Sequence, residues 1–226
     1  MAELFALNVK DSREFIKSDA ALSMVSENRI LSARSFLHES DYLLSIGGEL
    51  LARAVIRNAL GLPNESIKFE KSHYGKPYLS GFEGFHFNVS HSENLVICAC
   101  SEFEIGADCE YVSEKNHIED LRIVYTPDEL KKLDSLDKKD KTLECHNIWT
   151  LKESYLKCAG IGLQEEPRTL NITRSGEEYE IFKNEEKLNY FFKTYGDFDK
   201  YCVAVCCEVK SLPQKLNMAC ETYLIA

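Results

Sequence analysis

Three segments decide the fold: Phe85-His86-Phe87-Asn88-Val89, Leu95-Val96-Ile97-Cys98-Ala99-Cys100, and Ile105-Gly106-Ala107-Asp108-Cys109-Glu110. The first alternates apolar and polar residues, as a half-buried strand does. The other two are short apolar runs joined by the polar connection Ser101-Glu102-Phe103-Glu104, which reads as a strand pair.

Working outward toward the N-terminus, Tyr74-Gly75-Lys76-Pro77 reads as a turn and Ile67 to Glu70 as a short alternating strand. Further upstream a helix begins at Asp41, with Leu43, Leu44, Leu51, Val55 and Leu60 apolar. Gly61 and Pro63 end it as a glycine just past a helix and a following proline do. Ser26 caps a shorter helix through Phe36, and a short apolar segment precedes it. Toward the C-terminus, Thr126-Pro127-Asp128-Glu129 supplies a capping hydroxyl, a proline at the first helical position and acids in the first turn. The Asp/Lys-rich stretch from Asp137 to Lys141 separates that helix from a longer one over about Thr142 to Ala159, ended by Gly160. Tyr179 to Phe182, Tyr190 to Thr194 and Tyr201 to Glu208 read as strands. Each half is thus helices followed by a small antiparallel sheet, so the fold class is α+β. The lobes are 1–108 and 109–226, which places any site near residue 108 at a lobe junction.

Of the 226 residues 44% are hydrophobic and 28% charged, enough for a core and unlike a disordered chain. Lys and Arg number 27 against 37 Asp and Glu, a net charge of −10. That excludes a general nucleic-acid binder, which needs a basic footprint. A phosphate-bearing ligand must then be held by a few local cations or a metal. The longest apolar run, Tyr201 to Cys207, falls far short of the ~20 residues of a membrane helix, so no membrane association is expected. The N-terminus has no basic stretch ahead of an apolar one, so no signal peptide is expected. The nine cysteines lack C-x-x-C spacing and mostly sit in apolar runs, reading as reduced thiols of a cytoplasmic protein rather than zinc ligands.

Asp108 and Glu110, two apart on a strand, share one face about 6–7 Å apart along the chain. Side by side they repel unless a proton or cation lies between them, and hard carboxylate oxygens suit Mg²⁺ with substrate phosphates. The same spacing also occurs on solvated strand faces. Glu153 and Lys157, four apart, share a helix face; Trp149 lies a turn earlier, while Ile148, Leu151, Tyr155 and Cys158 form the core-facing stripe. Alone, the Glu–Lys pair reads as an ordinary surface pair. Ser90-His91-Ser92 at a strand end suits either a phosphate or a turn.

Together these pieces resemble the 4′-phosphopantetheinyl transferases, in particular the two-lobed class that activates surfactin-type peptide synthetases. The resemblance runs from about Ser26 to Glu208. It rests on Gly75-Lys76-Pro77, Phe87-Asn88-Val89-Ser90-His91-Ser92, Ile105 to Glu110, and Trp149-Thr150-Leu151-Lys152-Glu153-Ser154-Tyr155-Leu156-Lys157. It implies a pseudo-twofold, two-lobed monomer with its active site between the lobes. The implied reaction moves the phosphopantetheine arm of coenzyme A onto a serine of an apo acyl or peptidyl carrier protein and releases adenosine 3′,5′-bisphosphate. By resemblance Asp108, Glu110 and Glu153 hold Mg²⁺, and Lys157 contacts the phosphates. Glu153 helps deprotonate the serine, directly or through a bound water. Ser90 and His91 contact the coenzyme A phosphates, and Gly75, Lys76 and Pro77 lie along the adenine. Arg29 takes the place of a family lysine at the 3′-phosphate, whereas Ser32 and Leu44 stand where relatives carry basic groups. Ile161, Leu163, Leu170 and Ile172 are either a carrier-docking face or core. The alternatives are a protein that binds coenzyme A or a carrier without transfer, and an acidic interaction module with solvated carboxylates.

Overall fold

The computed structural model describes residues 2–113, 122–196, 198 and 200–225. The chain opens with β1 (Glu3–Asn8) and three short helices, α1 (Arg13–Ile16), α2 (Asp19–Leu22) and α3 (Glu27–Ala33). Ser26 caps α3 by accepting from the Arg29 N–H. The long helix α4 (Glu39–Leu60) ends at Gly61, whose φ of 66° is left-handed, a conformation in which glycine meets no Cβ penalty. Then follow the hairpin β2 (Phe69–Lys71) and β3 (Pro77–Leu79), and the strands β4 (His86–Ser92), β5 (Leu95–Ser101) and β6 (Ile105–Tyr111).

The second half repeats the theme. Helix α5 (Pro127–Leu133) starts with a complete capping box between Thr126 and Glu129. Helix α6 (Lys138–Ala159) ends at the left-handed Gly160. Strands β7 (Leu170–Ser175), β8 (Glu178–Lys183), β9 (Glu186–Leu188), β10 (Phe191–Thr194), β11 (Tyr201–Cys207) and β12 (Leu216–Met218) precede α7 (Glu221–Ile225). The main sheets have the orders β12-β1-β5-β4 and β10-β11-β6; β7-β8-β9 and β2-β3 form smaller ones. All neighbours pair antiparallel except β1 and β12. The α+β architecture expected from the sequence is present, a long helix on a small sheet in each half.

Several boundaries differ from the sequence expectations. Helix α6 starts at Lys138, because Asp137 accepts from the Asp140 N–H as an N-cap; the stretch read as a separator is its first turn. The first hairpin strand begins at Phe69 rather than Ile67. Strand β7 was not expected, and it settles part of the docking question: Leu170 and Ile172 are buried in the second core. Ile161 packs on that core half-buried, and the side chain of Leu163 lies outside the described residues. Residue 108 falls inside β6, all of which pairs with β11.

Three apolar clusters fix the arrangement. One surrounds α4, a second surrounds α6, and a third, with Leu4, Ala6, Ile97, Ile105, Ala107 and Val205, packs the two main sheets together. All nine cysteines are free and all but Cys220 are buried. Among the described residues no helix is long and apolar enough to cross a membrane.

Gly106 governs how α6 meets β6. A Cβ there would fall 2.1 Å from the Ser154 carbonyl oxygen and 2.3 Å from the Cys158 nitrogen, so helix backbone lies directly on strand backbone. Gly106→Ala must push α6 away and should lower stability by about 2–3 kcal/mol, the upper range for overpacking. Urea denaturation measures this; an unchanged midpoint contradicts the close contact.

Candidate active site

The contact at Gly106 places the Glu153–Lys157 face of α6 beside Asp108 and Glu110. These four residues, with Val89, Ser90, His91 and Trp149, line one cavity of about 300 Å³. Strand β4 lies alongside β6 and is joined to it by side chains at every second position. Asn88 Oδ1 accepts from the Ala107 N–H at 2.8 Å. Ser90 Oγ donates to Asp108 Oδ1 at 2.8 Å. Ser92 Oγ donates to Glu110 Oε2 at 3.3 Å and accepts from the Tyr111 N–H at 3.0 Å.

Asp108 is buried and its Oδ1 also accepts from Lys157 Nζ at 2.5 Å. Its Oδ2 is buried and has no partner among the described residues, an arrangement that calls for a ligand or an explanation. Burial pushes the Asp108 carboxyl up, and Lys157 and Ser90 offset this only in part. Burial and the Asp108 charge push Glu110 up to about 7. Burial also raises Glu153; Lys157 opposes this, while Asp108 adds to it. Burial works against the Lys157 ammonium, but Asp108 and Glu153 outweigh it and raise its pKa. His91 is open to solvent on one side, yet surrounding protein and the Lys157 charge lower its pKa against the pull of Asp108 and Asp41.

Val89 and His91 also border a second chamber of about 440 Å³, walled by Phe36, Leu44, Phe69, Pro77 and Phe87. Arg29 lines it, its Nε on Glu49 Oε2 at 3.2 Å. The structure therefore gathers Asp108, Glu110, Glu153, Lys157, Ser90 and His91 in one cavity and Arg29 and Pro77 in the adjoining one. It does not bring Gly75 or Lys76 to either. Gly75 is an exposed turn residue at φ 87°. Lys76 Nζ donates to Glu104 Oε2 at 2.6 Å and to the carbonyls of Ile105 and Cys158 at 3.1 Å each, bolting the hairpin to β6 and to the C-terminal end of α6. The Ser90 hydroxyl, expected on a phosphate, is engaged by Asp108 and by Lys157 Nζ at 2.9 Å.

The donor set fits a hard divalent cation: three carboxylates on one cavity, each with its charged form disfavoured, and a buried unpartnered oxygen. The carboxylates do not close into a ready ligand set, since among the described residues no three His, Cys, Asp or Glu side chains stand as a metal-holding group.

Family models described as "4′-phosphopantetheinyl transferase, N-terminal" and "4′-phosphopantetheinyl transferase superfamily" match residues 13–103 and 104–206. The 4′-phosphopantetheinyl transferase gsp of Aneurinibacillus migulanus is 33% identical over 168 residues, covering 73% of this chain and 68% of that protein. The chain belongs to the 4′-phosphopantetheinyl transferase superfamily. The 4′-phosphopantetheinyl transferase Sfp of Bacillus subtilis (strain 168) is 28% identical over 204 residues, covering 89% of this chain and 90% of that protein. A solved holo-(acyl-carrier-protein) synthase from Bacillus anthracis str. Ames, in complex with CoA (3′,5′-ADP), is 18% identical with a TM-score of 0.37, over 46% of this chain and 93% of that chain.

In this phosphopantetheinyl transferase, an enzyme of the transferase class, sequence reasoning missed Lys152. The residue is fully buried; its Nζ donates to Glu129 Oε2 at 2.6 Å and to the Val124 carbonyl at 2.8 Å. Burial lowers its pKa and Glu129 opposes that. Glu129 also accepts from the Thr126 and Ile172 N–H groups, so the pair ties α6 to α5 and β7. The available signal was its place four residues after Ile148, on the core side of the helix.

The raised carboxyls make stability depend on pH. Glu110 is ordinarily at 4.5 and here at about 7, so between those values the folded chain holds more proton than the unfolded one. Stability from this group is therefore full at low pH and is lost as the pH rises from about 4.5 to about 7. With chelator present, Glu110→Gln should flatten that slope in urea midpoints; parallel wild-type and variant curves would contradict it.

Proposed function

We propose that this protein transfers the 4′-phosphopantetheine arm of coenzyme A to a serine of an apo acyl or peptidyl carrier protein, with Mg²⁺, and releases adenosine 3′,5′-bisphosphate. The observation that carries the reading is the buried, unpartnered Asp108 Oδ2 on a cavity that Glu110, Glu153 and Lys157 share. Asp108, Glu110 and Glu153 would hold the ion, which when bound offsets the negative charge of the pyrophosphate and of its leaving half.

The remaining work falls to the chain's own side chains. The carrier serine oxygen attacks the phosphorus that bears the pantetheine arm. The bond from that phosphorus to the bridging oxygen breaks, and the electron pair leaves with the adenosine-side phosphate. Glu153 accepts the serine proton, directly or through a bound water: it lines the cavity beside Asp108 and Lys157 and carries no hydrogen bond among the described residues. Lys157, anchored by Asp108 and Ser90, supplies a fixed positive charge to the transferring phosphoryl group. The apolar chamber takes the adenosine, with Arg29 and His91 at its edge for the 3′-phosphate. Arg29 and Lys157, with the bound ion, would let a chain of net charge −10 bind a polyanion. One chain supplies both lobes, so the working unit is a monomer, and its compartment is the cytoplasm, where coenzyme A and reduced thiols coexist.

Incubation with coenzyme A, Mg²⁺ and a panel of apo carriers, read by intact mass, tests this. A carrier should gain the mass of one phosphopantetheine arm, and chelator should prevent it. Glu153→Gln should slow transfer by about 100-fold or more. Full rate in that variant, or no gain on any carrier type, overturns the reading.

A further inference from the structure

The Glu110 carboxylate is gripped from both sides. Trp149 Nε1–H donates to its Oε1 at 3.2 Å, and Ser92 Oγ donates to its Oε2 at 3.3 Å. The Tyr111 N–H already occupies an acceptor position on Ser92 Oγ at 3.0 Å, which leaves the hydroxyl hydrogen for Glu110. Trp149, the single tryptophan of the chain, stands one turn before Glu153 on α6 and rests on the second core. Its indole is thus fixed by packing on one side and spends its sole donor on the carboxylate.

Each carboxylate oxygen has two acceptor positions. One donor on each leaves one position per oxygen for a ligand while removing the freedom of the carboxylate to rotate. We propose that Trp149 and Ser92 are positioning residues that present Glu110 to the divalent cation. The inference rests on the ion assigned under the proposed function. Through Trp149, α6 orients a carboxylate on β6 while supplying its own, Glu153, so the ion reports the seating of helix on strand. Partners of this kind commonly contribute 10–100-fold to metal affinity, by rough magnitude.

The test is Mg²⁺ titrated by calorimetry into the full chain with coenzyme A and no carrier, with Trp149 emission followed in the wild type. Ser92→Ala should weaken Mg²⁺ binding about 10-fold or more, with coenzyme A affinity in chelator unchanged. Ser92→Thr, which keeps the hydroxyl, should restore it. Trp149→Phe should weaken Mg²⁺ binding similarly, and Mg²⁺ should shift the wild-type emission. The inference is overturned if Ser92→Ala binds Mg²⁺ as tightly as wild type or more tightly, or if Ser92→Thr is as weak as Ser92→Ala. The serine pair decides the matter even where Trp149→Phe fails to fold. Carrier modification without dependence of Mg²⁺ affinity on Ser92 sinks this inference alone; the dependence without any carrier modification sinks the transfer reading alone.

Discussion

Helix α6 rests on β6 with no side chain between them at Gly106, and the geometry of the site follows from that approach. It lets Lys157 reach Asp108 at 2.5 Å and brings Glu153 to the cavity where Asp108 and Glu110 stand. The other wall is set by β4, whose Asn88, Ser90 and Ser92 reach across to β6 in place of a backbone ladder. Side-chain rungs join the two main sheets while the strand pairing of β6 goes to β11. Small apolar residues of the third core, among them Ala6 and Ala107, hold the sheets close enough for those rungs to span the gap.

The electrostatics follow from the same closeness. Three carboxylates in a partly desolvated seam repel one another, and burial raises all three. The Lys157 ammonium alone is too little to neutralise them, and Oδ2 of Asp108 is left without a partner among the described residues. A divalent cation would relieve both the repulsion and the unpaired oxygen. The fold thus stores a local instability that a correct ligand removes, which is how a functional site departs from what stability alone would select.

Much of this was readable from residues. The Thr126 cap with Pro127 after it and the glycines after α4 and α6 act through rules local to a few residues, and they appear where expected. The i, i+2 carboxylates of β6 and the i, i+4 pair of α6 also follow from periodicity. What escaped depends on partners distant in sequence. Ser90 and Ser92 read as phosphate or turn residues because nothing nearby in the chain shows β6 beside them. Lys76 reads as a turn lysine until Glu104 and the end of α6 come within reach. Lys152 follows Ile148 by four residues on the core side of α6, but only the distant Glu129, 23 positions earlier, makes its burial tolerable. Leu170 and Ile172 alternate as a strand should, but two residues are too few to separate a docking face from a core.

The most direct measurement is a crystal structure with coenzyme A and Mn²⁺ standing in for Mg²⁺, located by its anomalous scattering. The account predicts one strong peak bound by Asp108 Oδ2, Glu110 and Glu153 together. A fully occupied coenzyme A with the metal elsewhere, or with Glu153 turned away from it, would contradict the account.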